Sequence, residues 1–95
     1  MDNGRLKQRV AEISENVKNV RVEDLFTLLD NHIKPFCRTK GLKYDHRNNG
    51  GSHHAFTVGS ETFTVPKPHG TSLLKPVYVR RFLEVMELFD LFEGE

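Results

Sequence analysis

The sequence predicts an α+β fold in which two helices precede a three-stranded antiparallel sheet and a last helix follows it. Three segments between residues 42 and 65 alternate apolar and polar side chains, which is typical of strands with one buried face. Before and after them, apolar residues recur every three or four positions, the spacing of amphipathic helices. A chain of 95 residues is long enough for one small domain with a single core.

The N-terminal segment, residues ~3–20, has a narrow apolar stripe with spacings of four and three. The stripe consists of Leu6, Val10, Ile13, Val17 and Val20. Such a stripe buries little area alone, so the helix is expected to pack on the rest of the chain or on a second copy. The narrow seam favours the second arrangement, a homodimer through the terminal helices. We interpret residues 1–21 as a helical extension and residues 22–95 as the main domain.

The second helix is expected to begin at Val22, where Glu23 and Asp24 lie near its N-terminus and the helix dipole favours negative charge. Its apolar face is formed by Val22, Leu25, Phe26, Leu29 and Ile33. Pro35 disfavours helical geometry at the residue before it, so the helix should stop or kink there. A further helical turn over residues 36–40 is predicted to end at Gly41.

The three strands follow, and their alternation divides the side chains between two faces. The predicted inward set is Leu42, Tyr44, Phe56, Val58, Phe63 and Val65. The predicted outward set is Lys43, Arg47, His53, Thr57, Thr62 and Thr64. A turn with a Gly pair precedes the second strand, which begins at two adjacent histidines. His53 is therefore expected to point outward, and His54 to lie at the margin of the core face.

The last helix is expected over residues ~76–92, after a proline-containing loop at residues 66–70 that must leave the sheet. Pro76 suits the first turn of a helix because the N–H that it lacks would be unpaired there. Apolar residues extend far around this helix, from Tyr78 to Phe92. One sheet cannot cover so broad a surface, so the helix must also contact the N-terminal helix or a partner chain.

Charge is distributed unevenly along the chain, although the net charge is only +1. The net charge of Lys, Arg, Asp and Glu is −1 over residues 1–33, +5 over residues 34–76 and −3 over residues 77–95. The basic part contains the predicted sheet, which fits a polyanion held by its phosphates and equally fits ordinary surface charge. Candidate phosphate contacts are Lys43, Arg47, Ser52, Lys67, His69 and Lys75.

Composition favours a cytoplasmic protein. No segment approaches ~18 consecutive apolar residues, and the start of the chain is too charged for a signal peptide. The single cysteine, Cys37, cannot form an internal disulfide and is expected to be a small buried side chain.

His53 is the main candidate for chemistry. An imidazole, with an ordinary pKa of about 6.5, can accept or donate a proton near neutral pH. Spacing alone also fits a plain surface histidine, and Ser52 can orient the ring or simply form the turn. His54 is interpreted as a histidine at the edge of the core. The histidines and Cys37 lack the spacing of a zinc site, and no phosphate-binding P-loop or hydrolase nucleophile elbow is present, so no cofactor or metal is expected.

Three motifs in order resemble the HicA family, the mRNA-cleaving toxins of HicA/HicB type II toxin–antitoxin systems. They are Gly51-Ser52-His53-His54-Ala55-Phe56, then Thr64-Val65-Pro66 with His69-Gly70 behind it, then Leu74-Lys75-Pro76. The resemblance covers roughly residues 22 to 90. Residues 1 to about 21 are an extension that most members lack, and the segment from Asn31 to Gly41, which contains Pro35, is longer than usual.

The resemblance implies a small α-β-β-β-α domain similar to a double-stranded-RNA-binding domain. It also implies a metal-independent endoribonuclease that cleaves mRNA, with His53 as the catalytic histidine, and a HicB-like antitoxin as a partner. Two other classes of function remain open. One is a non-catalytic RNA- or protein-binding module on the same fold, and the other is a helical dimerisation protein.

Overall fold

A computed structural model of the chain describes residues 3–48, 50–67 and 73–93. Helix α1 spans Gly4–Ser14, and a short 3-10 helix, Val17–Asn19, follows it. The N-terminal stripe is thus carried by two helical pieces and not by the single helix predicted. The break lies at Asn16, whose side chain accepts a hydrogen bond from Asn19 at 3.0 Å. Asparagine forms such local bonds readily, which favours a turn over a continued helix.

The second helical region does not stop before Pro35. Helix α2, Val22–Leu28, passes through a π-helical segment, Leu29–Ile33, into α3, Lys34–Lys40. A proline ring crowds the carbonyl one turn before it, and the wider π turn is one way for the chain to continue past it. The predicted end at Gly41 is confirmed, since this residue caps α3 with a left-handed φ of 69°.

The predicted antiparallel sheet is confirmed, with strands β1, Tyr44–Asn48, β2, His53–Val58, and β3, Glu61–Pro66, in the order β1-β2-β3. In the central strand, Phe56 lies opposite His46 on one side and Phe63 on the other. The register places the even residues of β1 and β2 with the odd residues of β3 on one face. This face packs against the helices, because Phe56 contacts Phe26 of α2 and Phe63 contacts Phe82 of the last helix.

Helix α4, Pro76–Leu88, begins at Pro76 as predicted, and it packs on β3 and on α1. Val10 of α1 is fully buried and belongs to the same core as Phe82. The link between α1 and α2 is tied to the segment before α4, because the backbone N–H of Leu74 donates to the carbonyl of Val20 at 2.9 Å. The N-terminal extension therefore shares the core of the domain.

The two arrangements expected for the terminal helices differ in what covers α4. In this structure α1 of the same chain covers it, and Leu91 beyond its end is buried as well. Two large apolar side chains of α4 remain open to solvent: Val77 is 62% and Leu88 64% exposed. Dimerisation through these helices remains a prediction.

Cys37 is buried, as predicted, and burial raises the pKa of its thiol. None of the helices among the described residues has the length and apolar character that crossing a membrane requires.

Gly59, in the turn between β2 and β3, is expected to tolerate no side chain. Its φ is +62°, and an added Cβ would lie 2.5 Å from Cζ of Phe89. Gly59→Ala should therefore lower the free energy of unfolding by about 2–4 kcal/mol, from backbone strain and crowding together. Gly41→Ala is the matched control, because Gly41 has a similar φ of +69° but open space around it. It should cost only about 1–2 kcal/mol. Urea unfolding of both variants measures the difference, and equal losses would contradict the role of Phe89.

Candidate functional site

The outer face of the sheet, opposite the helices, is polar and open. By register it carries Asp45, Arg47, His53, Ala55, Thr57, Thr62, Thr64 and Pro66, none of which is buried. The predicted division of the two histidines is present in the structure: His53 is exposed, whereas His54 is half-buried on the helix side. His53 begins β2 opposite Pro66, and its imidazole makes no hydrogen bond or ion pair with any residue that the structure describes. Its side chain is therefore exposed on the open face of the sheet.

The basic residues predicted on β1 are differently placed. Arg47 lies opposite Ala55, two residues from His53, but its Nε donates to the carboxylate of Asp45 at 2.6 Å. Part of its charge is therefore balanced on the same face. Lys43 is exposed before β1, and its carbonyl accepts from the N–H of Gly59. Six residues of β2 separate that point from His53, a distance of roughly 20 Å along the strand.

Ser52 and Lys67 are brought together, but on the other side of the sheet. The N–H of Lys67 donates to the carbonyl of Ser52, which continues the pairing of β2 and β3 by one position. Alternation then places both residues on the side of His54. The charge of Lys67 acts on His54 accordingly, since it helps to lower the pKa of that imidazole. Ser52 and Lys67 are thus neighbours of His54 and not of the outer face that carries His53.

Two further predicted contacts lie beyond the sheet. Lys75 is exposed in extended backbone directly before α4, where it forms the N-terminal cap position of that helix. His69 lies outside the described residues.

The helix side of the sheet carries a chain of hydrogen-bonded titratable groups that the sequence interpretation missed. Nδ1 of His46 lies 3.1 Å from both carboxylate oxygens of Asp30, which belongs to the π-helical segment. Nε2 of the same ring lies 2.9 Å from Nδ1 of His54. A carboxylate and two imidazoles are therefore joined in a line that runs from the helix across β1 to β2.

Aromatic rings hold this chain in place. Phe56 stacks on His46, with ring centroids 4.1 Å apart and 27° between the planes. Phe26 packs edge-to-face with both imidazoles, with ring centroids 5.4 Å apart for His46 and 4.8 Å apart for His54. Rings packed in this way leave little freedom for either histidine to rotate.

The protonation of the cluster follows from its surroundings. The hydroxyl of Tyr44 donates to Oδ1 of Asp30 at 2.7 Å, and burial together with this carboxylate raises the pKa of Tyr44 well above its ordinary value. Burial lowers the pKa of His54, and His46 and Lys67 act in the same direction, while Asp30 opposes them. Tyr44 therefore remains a donor, and His54 favours the neutral imidazole.

One sequence signal could have identified this cluster. Asp30 follows Phe26 by four residues, so the two lie on the same face of the helix, and Phe26 belongs to the apolar face predicted to meet the sheet. His46 and His54 share the inward parity of the two strands. An acid on the apolar face of a helix and two histidines on the facing side of a sheet have to find partners.

Among the described residues, no three His, Cys, Asp or Glu side chains are arranged to bind a metal ion. Both nitrogens of His46 already have protein partners.

Comparison with known proteins gives no relative: no family model, no curated protein and no solved structure matches this chain.

Proposed function

We propose that this chain binds RNA and cleaves it by acid–base chemistry, with His53 as a catalytic histidine. The observation that carries the proposal is the exposed imidazole of His53 at the start of β2, on an open polar face of the sheet. The resemblance of residues 51–56 to the HicA motif supports the same residue. On this proposal the chain is the toxin of a toxin–antitoxin pair, mRNA is its substrate, and a HicB-like protein is its partner.

The reaction fits an imidazole because RNA carries its own nucleophile. A base removes the proton of the 2′-hydroxyl, and O2′ then forms a bond to the adjacent phosphorus. The bond from phosphorus to O5′ breaks, and O5′ takes up a proton from an acid. The products are a 2′,3′-cyclic phosphate and a 5′-hydroxyl. His53 can serve as the base or as the acid of such a transfer, and a positioned group of this kind contributes typically about 10²–10⁴-fold in rate.

Cleavage of a labelled single-stranded RNA by the purified chain tests the proposal. In the presence of EDTA the wild-type protein should cut this RNA and leave DNA of the same sequence intact, because DNA lacks the 2′-hydroxyl. His53→Ala should lower the cleavage rate by about 100-fold or more. His32→Ala is the control, since His32 is half-buried on the π-helical segment, away from the outer face.

Binding measurements separate the enzyme from a non-catalytic module. If wild type and His53→Ala bind RNA equally and neither cleaves it, the binding module on the same fold is the correct assignment. If neither binds RNA, the proposal is wrong. Expression of both versions in cells without an antitoxin tests the toxin role, since only the wild type should arrest growth and degrade transcripts.

A further inference from the structure

We propose that His54, oriented by His46 and Asp30, is the general base of the RNA cleavage proposed above. This inference rests on the proposed function and deepens it, because it assigns the two halves of the proton transfer. His54 takes the proton of the 2′-hydroxyl, and His53 remains for the opposite part, the donation of a proton to the departing O5′. The two residues are adjacent at the start of β2 and lie on opposite sides of the sheet, so the proposal places the scissile phosphate at the sheet end where β2 begins.

The hydrogen bonds define which nitrogen of His54 can accept a proton from the substrate. When Nδ1 of His46 donates to the carboxylate of Asp30, Nε2 of His46 is left as the acceptor in a neutral ring. Nδ1 of His54 then donates to that nitrogen at 2.9 Å. The lone pair of His54 Nε2 faces away from the chain of bonds, and this is the state that a base requires.

Nε2 of His54 is also open to a substrate. It makes no hydrogen bond with any residue that the structure describes, and no buried side-chain nitrogen or oxygen among those residues is without a partner. The imidazole of His54 is half-buried, and on this proposal its Nε2 is the nitrogen that meets the substrate. His46, by contrast, is only 23% exposed and is enclosed by its two partners and by Phe56. In this relay of Asp30, His46 and His54, the carboxylate of Asp30 at the helix end is 39% exposed, so His46 in the middle is more enclosed than Asp30.

The relay also explains where the proton is held after transfer. A proton that arrives at Nε2 of His54 makes this ring an imidazolium, whose Nδ1–H still points to His46. That second proton can move to Nε2 of His46, which makes His46 an imidazolium whose Nδ1–H donates to the carboxylate of Asp30, and the charge is then compensated. A base oriented by a second group and a third is the arrangement that activates histidines in other acid–base sites. His53 has no such support among the described residues.

Charges around His54 suit a phosphodiester substrate. Lys67 follows β3 on the same side of the sheet and acts on the imidazole electrostatically. An ammonium group beside a neutral base attracts a phosphate and keeps the base unprotonated at the same time. The titratable groups that act on His54 come from three elements: His46 from β1, Asp30 from the helix and Lys67 from the end of β3.

The experiment compares the rates of RNA cleavage for His54→Gln, His53→Ala and wild type, together with their thermal unfolding. Glutamine retains a hydrogen-bonding group toward His46 but cannot act as the base. His54→Gln should remain folded and lose about 100-fold or more in cleavage rate. Wild-type cleavage by His54→Gln, with His53→Ala inactive, overturns this inference and leaves the proposed function intact. A wild-type chain that cleaves no RNA overturns both.

The pH profile gives a second readout that a structural role would not move. A base works when it is neutral, so activity should fall on the acid side of the pKa of His54, which lies below the ordinary value. Asp30 raises that pKa and Lys67 lowers it. Asp30→Asn should therefore shift the acid limb to lower pH, and Lys67→Met should shift it to higher pH.

Nitrogen-15 spectra of the histidines should show the Nδ1–H form of His54. An acid limb that does not shift in either variant would contradict the relay. The Nε2–H form of His54 in the spectra would also contradict it.

Discussion

Replacing Phe56 with alanine is expected to lower the free energy of unfolding by about 3–5 kcal/mol, the largest effect of any single substitution that we predict. Phe56 is fully buried in the central strand. Its ring centroid lies 5.3 Å from that of Phe26 in α2 and 5.8 Å from that of Phe63 in β3. The ring also stacks on His46. Removing the ring therefore leaves a cavity between β2 and three other elements, α2, β1 and β3. A small domain is stable by only about 5–15 kcal/mol, so such a loss brings this chain close to unfolding.

Thr57→Ala is the matched control on the same strand. Thr57 lies on the outer face, where its hydroxyl is 3.1 Å from that of Thr62. Removing this exposed hydrogen bond should cost no more than about 1 kcal/mol. Urea unfolding of the two variants measures the contrast. Losses of equal size would mean that β2 does not have one buried and one open face.

Phe56→Ala also connects the core to the candidate site. Without the stacked ring, His46 gains freedom to rotate, and the hydrogen bonds to Asp30 and His54 become less well oriented. Any Phe56→Ala protein that remains folded should thus show weaker coupling between the two imidazoles than the wild type. Phe56 therefore belongs to the core and also supports the relay.

The sequence predicted the features that depend only on residues close together in the chain. Alternation along β2 placed His53 outward and His54 inward, because the period of a strand is two residues and only one face is apolar. Gly41 was predicted to end a helix because few other residues accept its backbone conformation. The π-helical segment was not predicted, since Pro35 forbids only regular continuation and several distortions can satisfy it.

The sequence places Asp30, His46 and His54 on surfaces that face each other, but no window of the sequence shows that the three side chains meet. Asp30 and His46 are 16 positions apart, and they meet only when the helix lies across the sheet with Phe26 packed against both imidazoles. Periodicity gives the face of each element but not the angle or the sliding position at which two faces meet. The same reason explains Lys67. Lys67 lies beside His54 because of the register of β2 and β3, and the sequence analysis did not predict that register.

Removal of residues 1–20 is expected to have the second large effect. Val10 and Val20 are both buried, and burying a valine is worth roughly 1.5–3 kcal/mol, so the two together account for about 3–6 kcal/mol. The deletion also exposes the side of α4 against which α1 packs. We therefore expect the truncated chain to unfold far more readily than the full chain and to self-associate through the exposed apolar surface.

Solution mass and urea unfolding of both chains test this expectation. The solution mass of the full chain decides between a monomer, in which α1 covers α4 of the same chain, and the predicted dimer through the terminal helices. Val10→Ala and Lys7→Ala separate packing from chain length. The first removes a fully buried side chain and should cost about 2 kcal/mol, whereas the second changes an exposed position of the same helix and should cost less than about 0.5 kcal/mol.

A full-length dimer that dissociates on Val10→Ala would show that α1 forms its seam between two chains. A truncated chain that stays monomeric and equally stable would show that α1 is not part of the core.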